Sequence, residues 1–382
     1  MPTKKINAKN TGTVRQRPDG RWEARATVGG KRRSFYGDKQ SDVVKAMRAA
    51  LKASDDGTYF EPTRFTVGEW LDTWLKEYAE PSLKTLSLST YESRIRTHIK
   101  PALGKLKLSE LNATHIQTLY NNLTRQEGLS PKTVKNVHGI LHKAISQAVK
   151  LRYIPYNPAD ACELPRMEKR EVSPLTEADI TAMLAQISEG EPLRDMFTVT
   201  LFTGMRRGEV CGLSWDAVNF KDGTITVRQQ LQREQKKGGQ HYIATTKNDQ
   251  IRIITPAPYV MNILHEVYKR QIQERYNAGT AWHNPWNLVF TDPLGNFIIP
   301  QTASKRFKAL CASIGRPDAH FHDMRHTYAV VSLQEGDDVK TVQQNLGHAT
   351  ASFTLDVYGH VSEKMKQESA RRMENFITKI KA

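Results

Sequence analysis

Residues 320–329 read His320-Phe-His322-Asp-Met-Arg325-His326-Thr-Tyr-Ala, and two interpretations of this stretch compete. His322 and His326 are four residues apart, as in a relaxed H-E-x-x-H zinc motif, but the acid is Asp and no clear third ligand follows at a fixed spacing. Alternatively, His322 and Arg325 are three residues apart and project from one face of a helix. An arginine beside a histidine suits a phosphate better than a metal ion, so the stretch favours an anion site.

A second arginine lies upstream, in Thr203-Gly204-Met-Arg206-Arg-Gly-Glu209. Gly204 relaxes the backbone before a helix that we expect to begin near Arg206, where an arginine meets a bound phosphate together with free backbone N–H groups. The forked guanidinium can hold two non-bridging oxygens. Glu209 follows three residues later and could orient it. The alternative is an ordinary surface pair between residues i and i+3.

Three more reactive side chains follow in the second half of the chain. Lys247 lies between two apolar strand segments, which predicts a hairpin tip from which its amine could donate a proton to a ligand. His348 lies in Leu-Gly-His-Ala, and Tyr358 follows ten residues later. A tyrosine hydroxyl is a nucleophile when it meets an electrophilic centre and its proton has an acceptor. The alternative for the lysine, which is the commoner case, is an exposed turn residue. The alternative for the tyrosine is an ordinary packing or surface residue.

Taken together, these segments supply two arginines, a lysine, two histidines and a tyrosine. Phosphodiester transesterification needs this set when no metal ion takes part, because guanidiniums neutralise the non-bridging oxygens of the pentacoordinate transition state. A lysine can protonate the leaving alkoxide, and histidines can accept the tyrosine proton or hydrogen-bond the phosphate. We therefore predict no cofactor and no metal site.

The same segments resemble the signature boxes of the tyrosine recombinase family, the integrases of phages and transposons. The stretch around Arg206 is similar to the first-arginine box, and the stretch that begins at His322 is similar to the H-x-x-R box. Residues 346–358 resemble the closing box, and Lys247, ahead of an apolar strand, resembles the hairpin lysine. The boxes occur in the family's order over about 172–362.

The resemblance implies one catalytic set, with Glu209 supporting it from behind. Its six members are Arg206, Lys247, His322, Arg325, His348 and Tyr358. The tyrosine would attack a scissile phosphate and leave a 3′-phosphotyrosyl link and a free 5′-hydroxyl. The arginines would clamp the phosphate, the lysine would protonate the leaving hydroxyl, and the histidines would assist proton transfer and hydrogen-bond the phosphate.

The resemblance also implies partners. Four protomers would act on two duplexes, so we expect a homotetramer on double-stranded DNA that reads core and arm sites. The helical tail at 362–381 fits the family's C-terminal segment that docks on a neighbouring protomer, and the alternative is a helix packed on its own domain. An accessory DNA-bending protein or an excisionase is a possible further partner.

Residues 65–160 are predicted to be all helical, like the family's core-DNA-binding domain. The start and stop signals are capping boxes at Thr66–Glu69 and Ser89–Glu92, an N-cap at Ser130 before Pro131, and breaks at Pro101 and Gly104. Apolar residues recur at helical spacing over 134–148. A charged linker then leads to a mixed catalytic domain at 172–382. The strand pairs predicted there are at about 218–228, 241–255 and 288–299.

Residues 1–60 resemble an arm-type DNA-binding domain. Residues 1–53 hold 14 Lys and Arg against four acids, and one-signed clustering of this kind is what phosphate contacts require. We expect a strand ribbon that carries arginines into a DNA groove. The candidate contacts are Arg15, Arg17, Arg25, Arg32 and Arg33. The alternative is a basic module that binds another protein.

The pattern within this basic segment predicts a small sheet backed by one helix. Alternation and turn signals place three strands at 12–17, 22–28 and 31–36, with Gly29-Gly30 as a tight turn. A helix then runs to about Lys52, with Ser41 as its N-cap.

The composition of the chain restricts the class of protein to which it can belong. The chain has 382 residues and a net charge of +16, which suggests two or three domains and a polyanionic partner. Its three cysteines are far apart, so a disulfide framework or a cysteine zinc site is not expected, and no apolar stretch is long enough to cross a membrane. We expect a cytoplasmic protein of a bacterial cell that is associated with the nucleoid when bound to DNA.

The fold class that follows is multidomain. It combines a small β-sheet and helix, an all-α domain, and a mixed, mainly α catalytic domain with small β-hairpins, as in the tyrosine recombinase fold. The predicted activity is site-specific recombination that integrates and excises a mobile element. The alternatives are a resolvase or topoisomerase-like enzyme with the same chemistry, and a catalytically inactive DNA-binding regulator.

Overall fold

The chain divides into two units, Met1–Glu168 and Lys169–Ala382. The computed structural model describes residues 12–56, 64–167, 173–188, 191–234, 238–246, 249–347 and 363–381. Two separate hydrophobic cores lie within the first unit, one among residues 14–51 and one among residues 65–164. The three-domain boundaries inferred from the sequence stay a prediction.

A three-stranded antiparallel sheet opens the described chain. Its strands, in sheet order, are β1 (Thr13–Gln16), β2 (Trp22–Val28) and β3 (Lys31–Gly37). Gly29 and Gly30 both have positive φ and form the two-residue turn between β2 and β3, as the sequence predicts. Alternate residues of β2 are buried against the following helix, namely Ala24, Ala26 and Val28.

Helix α1 (Gln40–Asp55) packs on one face of this sheet through Val43 and Met47. Lys39 occupies its N-cap position, without a side-chain cap. Ser41 lies in the first turn, where its hydroxyl donates to Asp42, so the predicted Ser41 cap is wrong. Burial of an amphipathic face stabilises this helix more than capping does.

Helices account for the rest of the first unit. They are α2 (Val67–Trp74), α3 (Thr85–Arg94), α4 (Lys100–Leu103), α5 (Ala113–Arg125) and α6 (Pro131–Lys150). The capping box at Thr66 is confirmed, with hydrogen bonds in both directions to Glu69. The Ser130 cap is also confirmed, and the periodic apolar residues of α6 are buried.

Two helix boundaries in this segment differ from the prediction. Ser89 lies inside α3, where its hydroxyl donates to the Leu86 carbonyl, so the Ser89–Glu92 capping box is wrong. The chain also stays helical past Pro101, because a π-helical turn joins α3 to α4 and relaxes the hydrogen-bond ladder before the proline. Gly104 ends that run as predicted.

The second unit combines helices with two small antiparallel sheets. Its helices are α7 (Glu177–Ala185), α8 (Pro192–Thr203), α9 (Arg207–Cys211), α10 (Pro258–Ala278), α11 (Pro300–Ser313), α12 (Asp323–Gln334), α13 (Val339–Leu346) and α14 (Glu363–Lys381). Its strands are β4 (Val218–Asn219), β5 (Thr224–Val227), β6 (Gln229–Arg233), β7 (His241–Thr245) and β8 (Arg252–Ile254). One sheet has the order β4-β5-β8, and the other pairs β6 with β7.

Helix α8 lies at the centre of this unit and contacts α9, α10 and α12. It is buried on nearly every side because neighbours surround it, and its core residues include Met196, Phe197, Val199 and Leu201. The end of α8 is therefore a fixed point, from which the chain enters the Gly204–Glu209 segment.

Two predicted strand pairs of this unit are wrong. β7 pairs with β6, whereas β8 pairs with β5, so the two strands within 241–255 belong to different sheets. Residues 288–299 contain only the isolated bridge Thr291–Phe297 within them. In this short loop the Asp292 carboxylate accepts from the backbone N–H groups of Leu294 and Asn296, which replaces strand pairing with a local turn.

The described helices include none that is long and apolar enough to cross a membrane.

Candidate active site

Arg206 is held at the junction between α8 and α9. Gly204 ends α8 with a φ of +63°, and Arg206 is the N-cap residue of α9, as the sequence predicts. A Cβ at position 204 would lie 2.6 Å from side-chain atoms of Leu346 and Tyr328. Glycine is therefore required both for the left-handed backbone and for close approach to the end of α13.

Glu209 holds Arg206 in place from within the protein. Arg206 Nη1 donates to Glu209 Oε1 at 2.8 Å, and the Arg206 backbone N–H donates to Oε2 at 2.8 Å. The glutamate is only 1% exposed, so this is not the ordinary surface pair that the sequence also allowed. Burial alone would raise the pKa of Glu209, but hydrogen bonds and charge from Arg252 and Arg206 lower it to about 2.

The end of α13 brings Arg325 and Arg206 together. Arg325, on α12, donates to the Gly204 carbonyl at 2.7 Å and to the Leu346 carbonyl at 2.6 Å. Arg206 donates to the next carbonyl along the chain, that of Gly347, at 3.0 Å. The two predicted phosphate-binding arginines are thus fixed on consecutive carbonyls, although Arg206 is partly exposed and Arg325 is buried.

His322 lies at the N-terminal boundary of α12, on the open side of this pair. Loss of hydration lowers its pKa to about 4, with further contributions from electrostatic interaction with His326 and from the positive charge of Arg325. The imidazole is therefore neutral at neutral pH and can accept a proton. The His322 and His326 rings meet edge to face, and in the described part of the chain they belong to no group of three residues able to hold a metal.

A basic cleft of about 550 Å³ opens beside these residues. Arg206 and His322 line it, together with Arg207 and with Lys305 and Lys308 of α11. The sequence interpretation missed both lysines. Their i, i+3 spacing in the basic run Lys-Arg-Phe-Lys was the available signal, but a charge run is usually only a solvated helix face.

Three predicted catalytic residues, Lys247, His348 and Tyr358, lie outside the described residues. Chain segments on both sides of Lys247 are described, and so is the chain up to Gly347, which follows α13 with a φ of +63°. The strands on either side of Lys247 pair in different sheets, so the hairpin predicted from them is wrong.

Comparison with known families identifies this arrangement. The model of the phage integrase family matches residues 167–365, about half of the chain. A second model, the N-terminal SAM-like domain of phage integrases, matches residues 66–124. The chain belongs to the phage integrase family. It is therefore a tyrosine recombinase, an enzyme of the class that exchanges DNA strands through a tyrosine nucleophile.

Relatives of this recombinase match it over most of its length. A tyrosine recombinase XerC-like protein of Caldanaerobacter subterraneus subsp. tengcongensis is 29% identical over 360 residues, covering 90% of this chain and 92% of the relative. An integrase of Saccharopolyspora erythraea is 24% identical over 431 residues, covering 97% of each chain.

Solved structures confirm the predicted fold class. The Tn1549 transposon integrase in complex with a circular intermediate DNA is similar with a TM-score of 0.69 and 21% identity, over 81% of this chain and 99% of that chain. A lambda integrase tetramer bound to a Holliday junction is similar with a TM-score of 0.59 and 20% identity, over 94% and 99%. At these identities the likeness establishes the tyrosine recombinase fold.

The N-terminal sheet of the recombinase gathers most of the predicted DNA-contacting arginines on the face opposite α1. Glu23 lies at the centre of this face, accepting from Arg15 Nε at 2.7 Å and from Arg25 Nε at 2.7 Å. Arg17 lies over the Tyr36 ring, 5.3 Å from its centroid. We call the surface that carries Arg15, Arg17, Arg25 and Arg32 the arginine face.

Arg33 is the exception among the five predicted contacts. It pairs across the strands with Ala26, which is buried on the α1 side, so Arg33 shares the helix-covered face of the sheet. Arg32 pairs with Thr27 and lies on the opposite, open face. The one-residue offset explains why two neighbouring arginines separate, and the strand register is what charge counting could not supply.

Proposed function

We propose that this recombinase integrates and excises a mobile element through a 3′-phosphotyrosyl intermediate. One observation carries the proposal: Arg206 and Arg325 are anchored on consecutive carbonyls, beside a buried carboxylate and a basic cleft that His322 lines. Rigid guanidiniums at such a cleft are suited to a transition state whose extra charge lies on non-bridging phosphate oxygens.

In the proposed first step, the Tyr358 oxygen attacks the scissile phosphorus while the bond to the 5′ oxygen breaks. The tyrosine proton passes to a neutral histidine, and Lys247 gives a proton to the leaving 5′ oxygen. One phosphodiester is exchanged for another, so the step needs no energy from a nucleotide. A 5′-hydroxyl from a second duplex then reverses these bond changes and completes the strand exchange.

His322 and His348 are the proposed proton acceptors and phosphate ligands. A pKa near 4 makes His322 a weak base in the free protein. The negative charge of a bound phosphodiester would raise this pKa toward neutrality, where a proton acceptor is most effective. The bound phosphate would therefore make His322 a stronger base at the moment when the tyrosine proton has to be removed.

The proposed DNA contacts come from three parts of the chain. The helical segment 65–160 would bind the core site, and residues 1–60 would bind the arm site through the arginine face. Lys305 and Lys308 would bind backbone phosphates beside the scissile one, because they line the same cleft as Arg206.

A homotetramer on two duplexes is the proposed working assembly. Helix α14 presents Met373, Phe376 and Ile380, all exposed, so these residues are not buried against their own chain. This exposure supports a tail that docks on a neighbouring protomer. An accessory DNA-bending protein or an excisionase would set the direction of the reaction, and we expect the enzyme to act in the bacterial cytoplasm, at the nucleoid.

A covalent-trapping assay tests the chemistry. Full-length protein would be incubated, with EDTA present, with nicked suicide duplexes that carry the sequences flanking its own gene. We expect an adduct that resists SDS, because the short fragment between the scissile phosphate and the nick carries the leaving 5′-hydroxyl and diffuses away. The phosphotyrosine is then trapped, since no hydroxyl remains to reverse the reaction. Tyr358→Phe should abolish the adduct while DNA binding remains.

Tyr276→Phe is the matched control, since Tyr276 is an exposed tyrosine on α10 of the same unit. It should form the adduct at the wild-type rate. Tight binding without an adduct on any duplex would favour the regulator alternative, and an adduct that survives Tyr358→Phe would refute the assigned nucleophile.

A further inference from the structure

Arg252 has an unusual position for a strand arginine. It lies on the edge strand β8, and its side chain is only 9% exposed, whereas the neighbouring Ile251 and Ile253 are exposed. Strand alternation normally buries the isoleucines and exposes the charge. The inversion indicates that the protein side of β8 is built to receive a guanidinium.

All three guanidinium nitrogens of Arg252 have a partner. Nη1 and Nη2 donate to the two oxygens of Glu209 at 3.1 and 2.6 Å, and Nε donates to the Asn345 carbonyl at 2.8 Å. The methylene stem packs on Gly347, where a Cβ would lie 3.1 Å from Arg252 Cδ. This is a fork geometry that lysine cannot reproduce, because an ammonium is a single point charge.

These contacts join two pieces of the site from behind. Glu209, gripped by Arg252, is the residue that holds the Arg206 guanidinium. Asn345, held by the same arginine, immediately precedes the carbonyls that bind Arg325 and Arg206. Arg252 is not among the described residues that line the cleft. It is therefore placed to act through its neighbours, Glu209 and Asn345.

We propose that Arg252 is a positioning residue for strand cleavage: it locks Glu209 and the end of α13 so that Arg206 and Arg325 meet the phosphate in one fixed geometry. This inference rests on the proposed function of the two arginines. It predicts that Arg252 matters for cleavage without matching importance for DNA binding, because the described lining of the cleft does not include it.

Arg252→Lys is the sharpest variant, because it keeps a positive charge beside Glu209 and removes the fork. We expect single-turnover cleavage of the suicide duplex to slow on the order of 10- to 100-fold, the cost of a small misplacement of catalytic groups. DNA affinity and melting temperature should stay close to those of the wild type. Arg270→Lys is the matched control, since Arg270 pairs with Asp195 at 2.8 Å in the same unit, away from the cleft.

A double-mutant cycle separates positioning from general structural support. If Arg252 acts through Glu209, Arg252→Lys should slow cleavage little further in a Glu209→Gln background. If the fold-decreases in cleavage rate of the two single variants multiply in the double variant, the two residues act independently and the proposal is overturned. Equal slowing of cleavage by Arg270→Lys would also overturn it.

A second readout does not depend on cleavage. Phenylglyoxal modifies accessible arginines, and mass spectrometry gives the rate at Arg206. In Arg252→Lys, Arg206 should react several-fold faster, because its carboxylate partner is no longer fixed; an unchanged rate would refute the positioning role. Wild-type protein that forms no adduct would count against the proposed chemistry, while the Arg206 rate would still test Arg252.

Discussion

Two carboxylates in this protein each pair with two arginines, but their surroundings differ. Glu23, on the N-terminal sheet, and Glu209, beside the cleft, are each 1% exposed and each bridge two arginines. The arginines of Glu23 are 61% and 37% exposed, whereas those of Glu209 are 25% and 9% exposed. The partners of Glu23 are therefore open to solvent, whereas those of Glu209 are largely enclosed by the protein.

The difference shows what a bridging carboxylate can do in each setting. On the open face of the sheet, Glu23 aligns two arginines that remain available to a partner, and water still screens the charges. Around Glu209 the surroundings are drier, so removing one charge leaves the others without compensation. A carboxylate between two arginines therefore presents the arginines to a partner on the N-terminal sheet. Beside the cleft, the same arrangement fixes the arginines in place.

Glu209→Gln should give the largest effect, because it leaves Arg252 buried without a charged partner. We expect a loss of about 3 kcal/mol in the free energy of unfolding and a slowing of cleavage by about 100-fold. Denaturant unfolding and the suicide-duplex assay measure the two effects. Glu274→Gln, on α10 near Arg270, is the control and should change both far less. Comparable losses in the two variants would mean that the enclosed position of Glu209 gives it no special role.

Much of this site was predictable from the sequence because the signals are local. Gly204 before Arg206, and Glu209 three residues later, fix a turn and a pair through short-range geometry alone. The position of Arg252 was not predictable in this way. Its partners lie 43 and 93 residues away in the chain, and its apolar neighbours suggest an exposed arginine between buried isoleucines.

The fold shows the same division between local and distant information. Helix α6 and the β2–β3 turn follow from spacing and from Gly29-Gly30, so the sequence predicts them correctly. The pairing of β8 with β5 rather than β7 depends on contacts between distant segments, which periodicity does not encode. Arg33 faces α1 for a similar reason, because register rather than composition decides its side.

Glu23→Gln should have a smaller effect, and on recognition rather than on folding. Removing the carboxylate frees Arg15 and Arg25 from their alignment. It also removes one negative charge, so the net charge of the arginine face becomes more positive by one. We expect binding to non-specific DNA to tighten slightly, while the preference for the arm site falls about tenfold, the loss of one well-aligned arginine contact. Binding would be compared on a duplex that the wild type selects from a random pool and on a scrambled duplex.

Asp19→Asn controls for charge in that experiment. Asp19 lies in the turn before β2 and pairs with Arg21 at 3.0 Å and with Arg17 at 3.9 Å, so its loss changes the net charge by the same amount while Glu23 keeps Arg15 and Arg25 aligned. It should tighten both duplexes equally. An equal loss of preference in Asp19→Asn would show that net charge, and not alignment by Glu23, determines arm-site recognition.

Acid should reveal the smallest difference between the two carboxylates. A hydrogen bond from Arg25, with help from Arg15, lowers the pKa of Glu23 to about 2, and Arg252 and Arg206 lower that of Glu209 to about 2. A carboxylate with a depressed pKa stabilises the fold fully above its ordinary value of 4.5 and loses this contribution as the pH falls toward 2.

The destabilisation caused by Glu209→Gln should therefore be constant above pH 4.5 and vanish near pH 2. That caused by Glu23→Gln should be small at every pH, because solvent already screens its partners. Hydrogen exchange, resolved by mass spectrometry to the peptides that contain α9 and β2, measures the two local stabilities separately. A strong loss of protection at β2, equal to that at α9, would show that an open sheet face shields charge as well as an enclosed core. The contrast between presenting and fixing arginines would then rest on geometry alone.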